Sequence, residues 1–115
     1  MTVCELKEKL SLTVFWEGDG DREITGGYAG DLLSWVMGRC REGDCWITIM
    51  SNRNVAAVAQ LTDCALVILS EGVRPDPDAL EAFKTRGMNL LGSQADTFSL
   101  CIVNHDIFQV FNGLT

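Results

Sequence analysis

The chain has 115 residues, 47% of them apolar, which suits a single domain over residues 1–115 with a core that needs no disulfide staple. Its formal net charge of −7 and pI near 4.5, with the nine Lys and Arg residues scattered, exclude a nucleic-acid polymer or an anionic membrane as the expected partner. No signal peptide is visible and no apolar run approaches the roughly 20 residues of a membrane span, so the expected location is the cytoplasm.

Thr2-Val3-Cys4-Glu5 reads as a capping box, and Val3, Leu6 and Leu10 recur at helical spacing behind it. Leu12–Trp16 is β-branched and aromatic, as in a strand. The acidic glycine turn Glu17–Asp21 separates it from a short second strand expected over Arg22–Thr25. After Gly26-Gly27 a helix is expected from Gly30 or Asp31. Leu32, Leu33, Val36 and Met37 would form its apolar side, Trp35 would lie beside them, and Gly38 would close it.

Cys45–Met50 is a nearly continuous apolar run, the pattern of a strand covered on both faces. Ser51-Asn52-Arg53-Asn54 is a polar turn rich in helix-capping residues, and Val55–Leu61 reads as a helix buried against the sheet. Ala65–Leu69 is the second buried strand. Asp76-Pro77 opens a helix with Leu80 and Phe83 inward, and Gly87 ends it. Met88–Leu91 is the next strand. Ser93–Asp96 caps a last helix with Phe98, Cys101 and Ile102 on one side, and Ile107, Phe108, Val110 and Phe111 follow in the tail. From Cys45 onward strand and helix alternate, the rhythm of an α/β fold with a mostly parallel sheet.

The segment Asp21-Arg22-Glu23-Ile24-Thr25-Gly26-Gly27 resembles the signature of the DRTGG family, an Asp-Arg pair and a short gap before Thr-Gly-Gly. Tyr28–Met37, Trp46-Ile47-Thr48-Ile49 and Asn54–Ala59 are similar to the family as well, and the likeness runs from about Thr2 to about Leu100. It implies a three-layer fold related to the N-terminal domain of HPr kinase/phosphatase. It also implies a regulatory or assembly role, often as a dimer. Such domains occur beside nucleotide-sensing CBS domains in some inorganic pyrophosphatases and in some phosphate acetyltransferases. Stand-alone copies are sometimes encoded near iron-only hydrogenase components. No catalytic residue or cofactor comes with the resemblance. Many members carry a histidine in the turn after the strong strand, where this chain has Ser51–Asn54.

Two places could bind a ligand. Thr25-Gly26-Gly27 ahead of a helix could cradle an anion with backbone N–H groups. A tight strand-to-helix turn is the favoured reading, since glycine turns are common without ligands and the acidic Asp31 is close by. Ser51, Asn52, Arg53 and Asn54 fall at the expected carboxyl end of a parallel strand, with Ser70 on the same edge, where α/β sheets bind ligands. Arg53 could meet a phosphate there, or the turn could serve only to cap a helix.

The five cysteines lack close pairs, and His105 is the only histidine, so no metal site is expected and the cysteines read as small buried hydrophobes. Trp16, Trp35 and Trp46 are expected as core or dimer anchors. The leading expectation is a non-enzymatic regulatory module, a homodimer that binds a small ligand such as a nucleotide or joins a protein partner. An accessory factor for redox proteins, using its cysteines for a metal or cluster, is the alternative. An enzyme has least support.

Overall fold

The structure, a computed structural model, describes residues 1–112, with side chains described through Ile107. The expectations placed on Phe108, Val110 and Phe111 concern side chains outside the described residues. Ten elements follow in the order α1 (Val3–Leu10), β1 (Thr13–Trp16), β2 (Gly26–Ala29), α2 (Leu33–Arg39), β3 (Asp44–Thr48), α3 (Asn54–Thr62), β4 (Leu66–Leu69), α4 (Pro77–Arg86), β5 (Leu90–Gly92) and α5 (Thr97–Asn112).

The local signals act as their chemistry demands. The Thr2 hydroxyl accepts from the Glu5 N–H at 3.2 Å, and the Glu5 carboxylate accepts from the Thr2 N–H at 3.0 Å, so α1 opens on a complete capping box. Pro77 sits in the first turn of α4, where its missing N–H costs nothing, and Gly87 closes that helix at φ 67. The strands β3 and β4 are buried at every residue.

The sheet order is β1-β5-β4-β3-β2, with β1 antiparallel to β5 and the other pairings parallel. Alternation along each strand sends side chains to two cores. Trp46, Val67, Leu69 and Leu90 meet Val36 of α2, Val55, Ala56 and Ala59 of α3, and Phe83 of α4. Cys45, Ile47, Leu66, Ile68 and Leu91 meet Val3 and Leu6 of α1 and Leu100 of α5. The result is a three-layer α/β fold with α2, α3 and α4 on one face and α1 and α5 on the other.

Three expectations are corrected. First, Arg22–Thr25 is not a strand: beyond one isolated bridge between Thr2 and Glu23, its backbone serves neighbouring loops. The Val3 N–H donates to the Arg22 carbonyl at 3.0 Å, the Ile24 N–H to Met1 at 2.9 Å, and the Thr25 N–H to Gly43 at 2.9 Å. The strand is Gly26–Ala29 instead, so the two glycines belong to a ladder and not to a turn before a helix.

Second, α2 begins at Leu33, because Asp31 turns its carboxylate to the end of β3, and Gly38 lies inside the helix. Only Val36 of its apolar set is fully buried, while Leu32 and Met37 are exposed.

Third, the inward stripe of α5 is Leu100, Asn104 and Ile107, spaced by four and three residues, while Phe98 and Ile102 point outward. The strand expected from Met88 starts at Leu90. The Asn89 side chain is buried and used as a bracket, accepting from the Gly18 N–H at 2.7 Å and donating to Asp19 at 2.9 Å and Ala65 at 3.0 Å.

Candidate functional site

The residues singled out in the sequence separate onto opposite edges of the sheet. Gly26 pairs with Asp44, the first residue of β3, whereas Ser51–Asn54 and Ser70 follow the last residues of β3 and β4. In a parallel sheet these are opposite ends, so no single ligand of ordinary size spans both.

At the amino edge the segment from Asp21 to Gly27 acts as a staple. The Arg22 guanidinium donates to the Asp63 carboxylate at 3.1 Å and to the Asp63 carbonyl at 2.9 Å, holding the residue that ends α3 at φ 55. The Thr25 hydroxyl donates to the Glu42 carbonyl at 3.3 Å, and Gly43 donates its N–H to the Asp63 carbonyl at 3.0 Å. A Cβ on Gly26 would stand 2.7 Å from the Asp44 carboxylate, which already accepts from the Arg41 N–H at 2.8 Å. Gly26 therefore lets an edge strand approach a fixed carboxylate, and an acceptor at that point repels an anion.

At the carboxyl edge the chain connects in a way that the rhythm of elements does not reveal. The connection after β4 leads to α4 on one face, and the connection after β5 leads to α5 on the other. Adjacent strand ends whose connections part in this way form the crevice where α/β sheets bind ligands. Here the protein's own groups occupy it. Ser70, fully buried, is hydrogen-bonded to Thr97 at an Oγ–Oγ1 separation of 2.6 Å, either hydroxyl being able to donate. The Glu71 N–H donates to Ala95 at 2.8 Å, and the Gly72 N–H to Ser93 at 2.9 Å. The Glu71 carboxylate accepts from the Thr97 N–H at 2.8 Å, and Asp96 accepts from the Ser99 N–H at 2.9 Å. Hydrogen bonds from Ser99 hold the Asp96 carboxyl below its ordinary value. The start of α5, a natural anion seat, thus carries two carboxylates of the chain itself.

The Ser51–Asn54 turn is also largely self-satisfied. Ser51 donates its hydroxyl to Asp76 at 3.2 Å and accepts the Asp76 N–H at 3.0 Å on its carbonyl, tying the start of α3 to that of α4. Asn52 Oδ1 accepts the Asn54 N–H at 2.9 Å, so Asn52 serves the helix entry. The crevice behind Ser51 and Asn52, floored by Leu69, Phe83 and Leu90, is too narrow for a water molecule. Arg53 differs: it is exposed and lines an open groove of about 840 Å³ between α3 and α4, together with Gln60, Asp78, Glu81 and Arg86.

Asp31 was not among the residues picked out as binding. Its carboxylate accepts from the buried Thr48 hydroxyl at 2.8 Å and the Ile49 N–H at 3.0 Å, fixing the loop that carries Leu32. Leu32 (60% exposed), Trp35 (55%) and Ile49 (44%) consequently stand out from that end of the sheet, with the Arg39 guanidinium 4.0 Å over the Trp35 ring. On the opposite layer α5 lies over β2 and β3 and presents Phe98 and Ile102, one turn apart. Sequence periodicity grouped Leu32 with Leu33, Val36 and Met37, and Phe98 with Cys101 and Ile102, and left Trp35 as a core or dimer anchor, so it did not decide which of these residues face outward.

Among the described residues, no group of three or more His, Cys, Asp or Glu side chains is placed to hold a metal, and no helix is long and apolar enough to cross a membrane.

No family model matches the chain, and no curated protein matches it at a significant level. A similar solved structure is that of the CBS and DRTGG domains of the regulatory region of Clostridium perfringens pyrophosphatase, complexed with the activator diadenosine tetraphosphate. It shares a TM-score of 0.64 and 15% identity over 85% of this chain. The chain spans 43% of that structure's length, and the likeness is one of fold.

Proposed function

We propose that this chain is a regulatory and assembly module of the DRTGG type, without a catalytic step of its own, that works as a homodimer joined along the β2 side of the sheet. The observation that carries this reading is the outward apolar set of Leu32 and Trp35 on one layer and Phe98 and Ile102 on the other. Between these layers runs β2, an edge strand whose outer ladder groups have no strand beside them. Exposed apolar surface beside an open strand edge marks an interaction surface. A monomeric protein would be expected to blunt both.

Light scattering or sedimentation on the full chain is expected to give a dimer. Replacing Trp35 by Ser should weaken self-association about 30-fold, the effect of losing roughly 2 kcal/mol at an aromatic anchor, and leave the melting temperature of the monomer nearly unchanged. A wild-type monomer at the highest attainable concentration would remove the dimer from this reading.

A ligand-binding role is favoured by the open groove between α3 and α4, where Arg53 and Arg86 present two guanidinium groups. The similar regulatory region was solved with a dinucleotide activator, which makes adenine nucleotides the first class to try. Asp78 and Glu81 in the same groove oppose a polyphosphate, so binding should be weak and salt-sensitive. Diadenosine tetraphosphate at about 100 times its dissociation constant should stabilise the fold by roughly 2.7 kcal/mol, read as a rise in melting temperature. The rise should shrink in Arg53→Ala. If no adenine nucleotide shifts the melting temperature, the role is assembly alone.

A further inference from the structure

We propose that Cys40 and Cys64 are a reversible thiol–disulfide site, whose oxidation by a small disulfide stitches the loop ahead of β3 to the loop ahead of β4. Cys40 ends α2, its N–H donating to Val36 at 2.8 Å, and Cys64 follows α3, its N–H donating to Ala59 at 3.3 Å. Two backbone bonds hold their loops side by side, Gly43 N–H to Asp63 at 3.0 Å and Ala65 N–H to Asp44 at 2.8 Å. The strands they lead into, β3 and β4, are neighbours in the sheet.

Both residues belong to the same core. Each thiol lies near enough to perturb the titration of the other, and the Thr62 hydroxyl acts on both. The other cysteines are placed differently. Cys45 points into the opposite core, where its thiol reaches Asn104 Oδ1 at 3.8 Å, Cys101 packs in that same core, and Cys4 lies on α1.

The two thiols are unequal. The hydrogen bond from Cys64 holds the Cys40 thiol below its ordinary value, while donating that bond and being buried push Cys64 up. Cys40 is the attacking sulfur and Cys64 the resolving one. The Cys40 thiolate attacks one sulfur of R–S–S–R, forms Cys40–S–S–R and expels RS⁻. Cys64, no longer donating to a thiolate, gives up its proton to the expelled RS⁻, which leaves as RSH. It then attacks the Cys40 sulfur, forming the Cys40–Cys64 bond and expelling the second RS⁻. Two protein thiols and one small disulfide become one protein disulfide and two small thiols, and two electrons pass to the oxidant. The bond encloses the segment that holds Thr25 through Glu42 and Gly43, and Arg22 through Asp63, so oxidation locks that staple.

The full chain, fully reduced and then treated with oxidised glutathione, is expected to lose the mass of two hydrogens. It should yield one linked peptide joining Cys40 to Cys64, with Cys4, Cys45 and Cys101 still open to alkylation after denaturation. Its melting temperature should rise by roughly 5 °C or more, and dithiothreitol should reverse both changes. In Cys64→Ser the mixed disulfide with glutathione should persist on Cys40, and in Cys40→Ser the buried Cys64 should stay free. A link between any other pair, or glutathione on Cys4 with Cys40 and Cys64 both left reduced, would overturn the proposal. The wild-type peptide map decides even if a serine variant fails to fold.

Discussion

Trp46→Ala is expected to lower the unfolding free energy by about 4 kcal/mol, a large fraction of what a domain of this size possesses. Trp46 is fully buried at the middle of β3 and packs among Val36, Val55, Val67 and Phe83, so it joins the sheet to α2, α3 and α4. Its indole N–H donates to the Gly30 carbonyl at 2.9 Å, fastening the loop that carries Asp31 and Leu32. Trp46→Phe separates the two contributions, since it retains most of the apolar volume and loses the bond. It should cost roughly 1–2 kcal/mol. Urea denaturation of the three proteins tests this, and a loss below about 1 kcal/mol in Trp46→Ala would contradict the packing argument. Because the loop position depends on this bond, Trp46→Phe should also weaken self-association if the Leu32 and Trp35 surface is the interface.

Gly43→Ala is expected to cost about 2–4 kcal/mol although the residue bears no side chain and touches no apolar core. Its φ is 82, the left-handed region, and a Cβ there would collide with the Thr25 hydroxyl. Its N–H and carbonyl are both committed, to Asp63 and to the Thr25 N–H, so the loop cannot move to relieve the overlap. The strain and the collision can be divided by a double-mutant cycle. Thr25→Ala removes the hydroxyl in the way, so Thr25→Ala/Gly43→Ala should be more stable than the sum of the single losses by about 1 kcal/mol. Strict additivity would mean that Thr25 and Gly43 are not the interlocked pair the geometry describes.

These two experiments concern different kinds of information. Trp46 lies in an apolar run whose pattern announces a strand covered on both faces, and the structure buries β3 throughout. The capping box at Thr2 and Glu5, Pro77 at the start of α4 and Gly87 at its end were legible for the same reason. Each depends on residues within one helical turn, where sequence spacing and spatial spacing coincide. Nothing in the local sequence around Gly43, a polar stretch between Arg39 and Asp44, sets it apart. Its role arises from Thr25 and Asp63, about twenty residues away on either side, brought together only by the pairing of β2 with β3 and of β3 with β4.

The candidate site divides in the same manner. Placing Ser51–Asn54 and Ser70 at one edge followed from the strand–helix rhythm, and the chain folds that way. That the crevice beside Ser70 is already filled by Glu71, Thr97 and Ala95 depends on α5 leaving on the opposite face from α4.

The sequence by itself determined most of the elements, the capping box of α1, the start and end of α4, the two buried central strands and a mostly parallel α/β sheet, because apolar periodicity and backbone chemistry act locally. Only the tertiary structure decided that Gly26 and Gly27 form an edge strand, that β1 pairs antiparallel with β5, and that Leu32, Trp35 and Phe98 face outward. Those outcomes depend on which distant segments become neighbours. A helix with apolar residues on more than one side has no local means of choosing which side to bury.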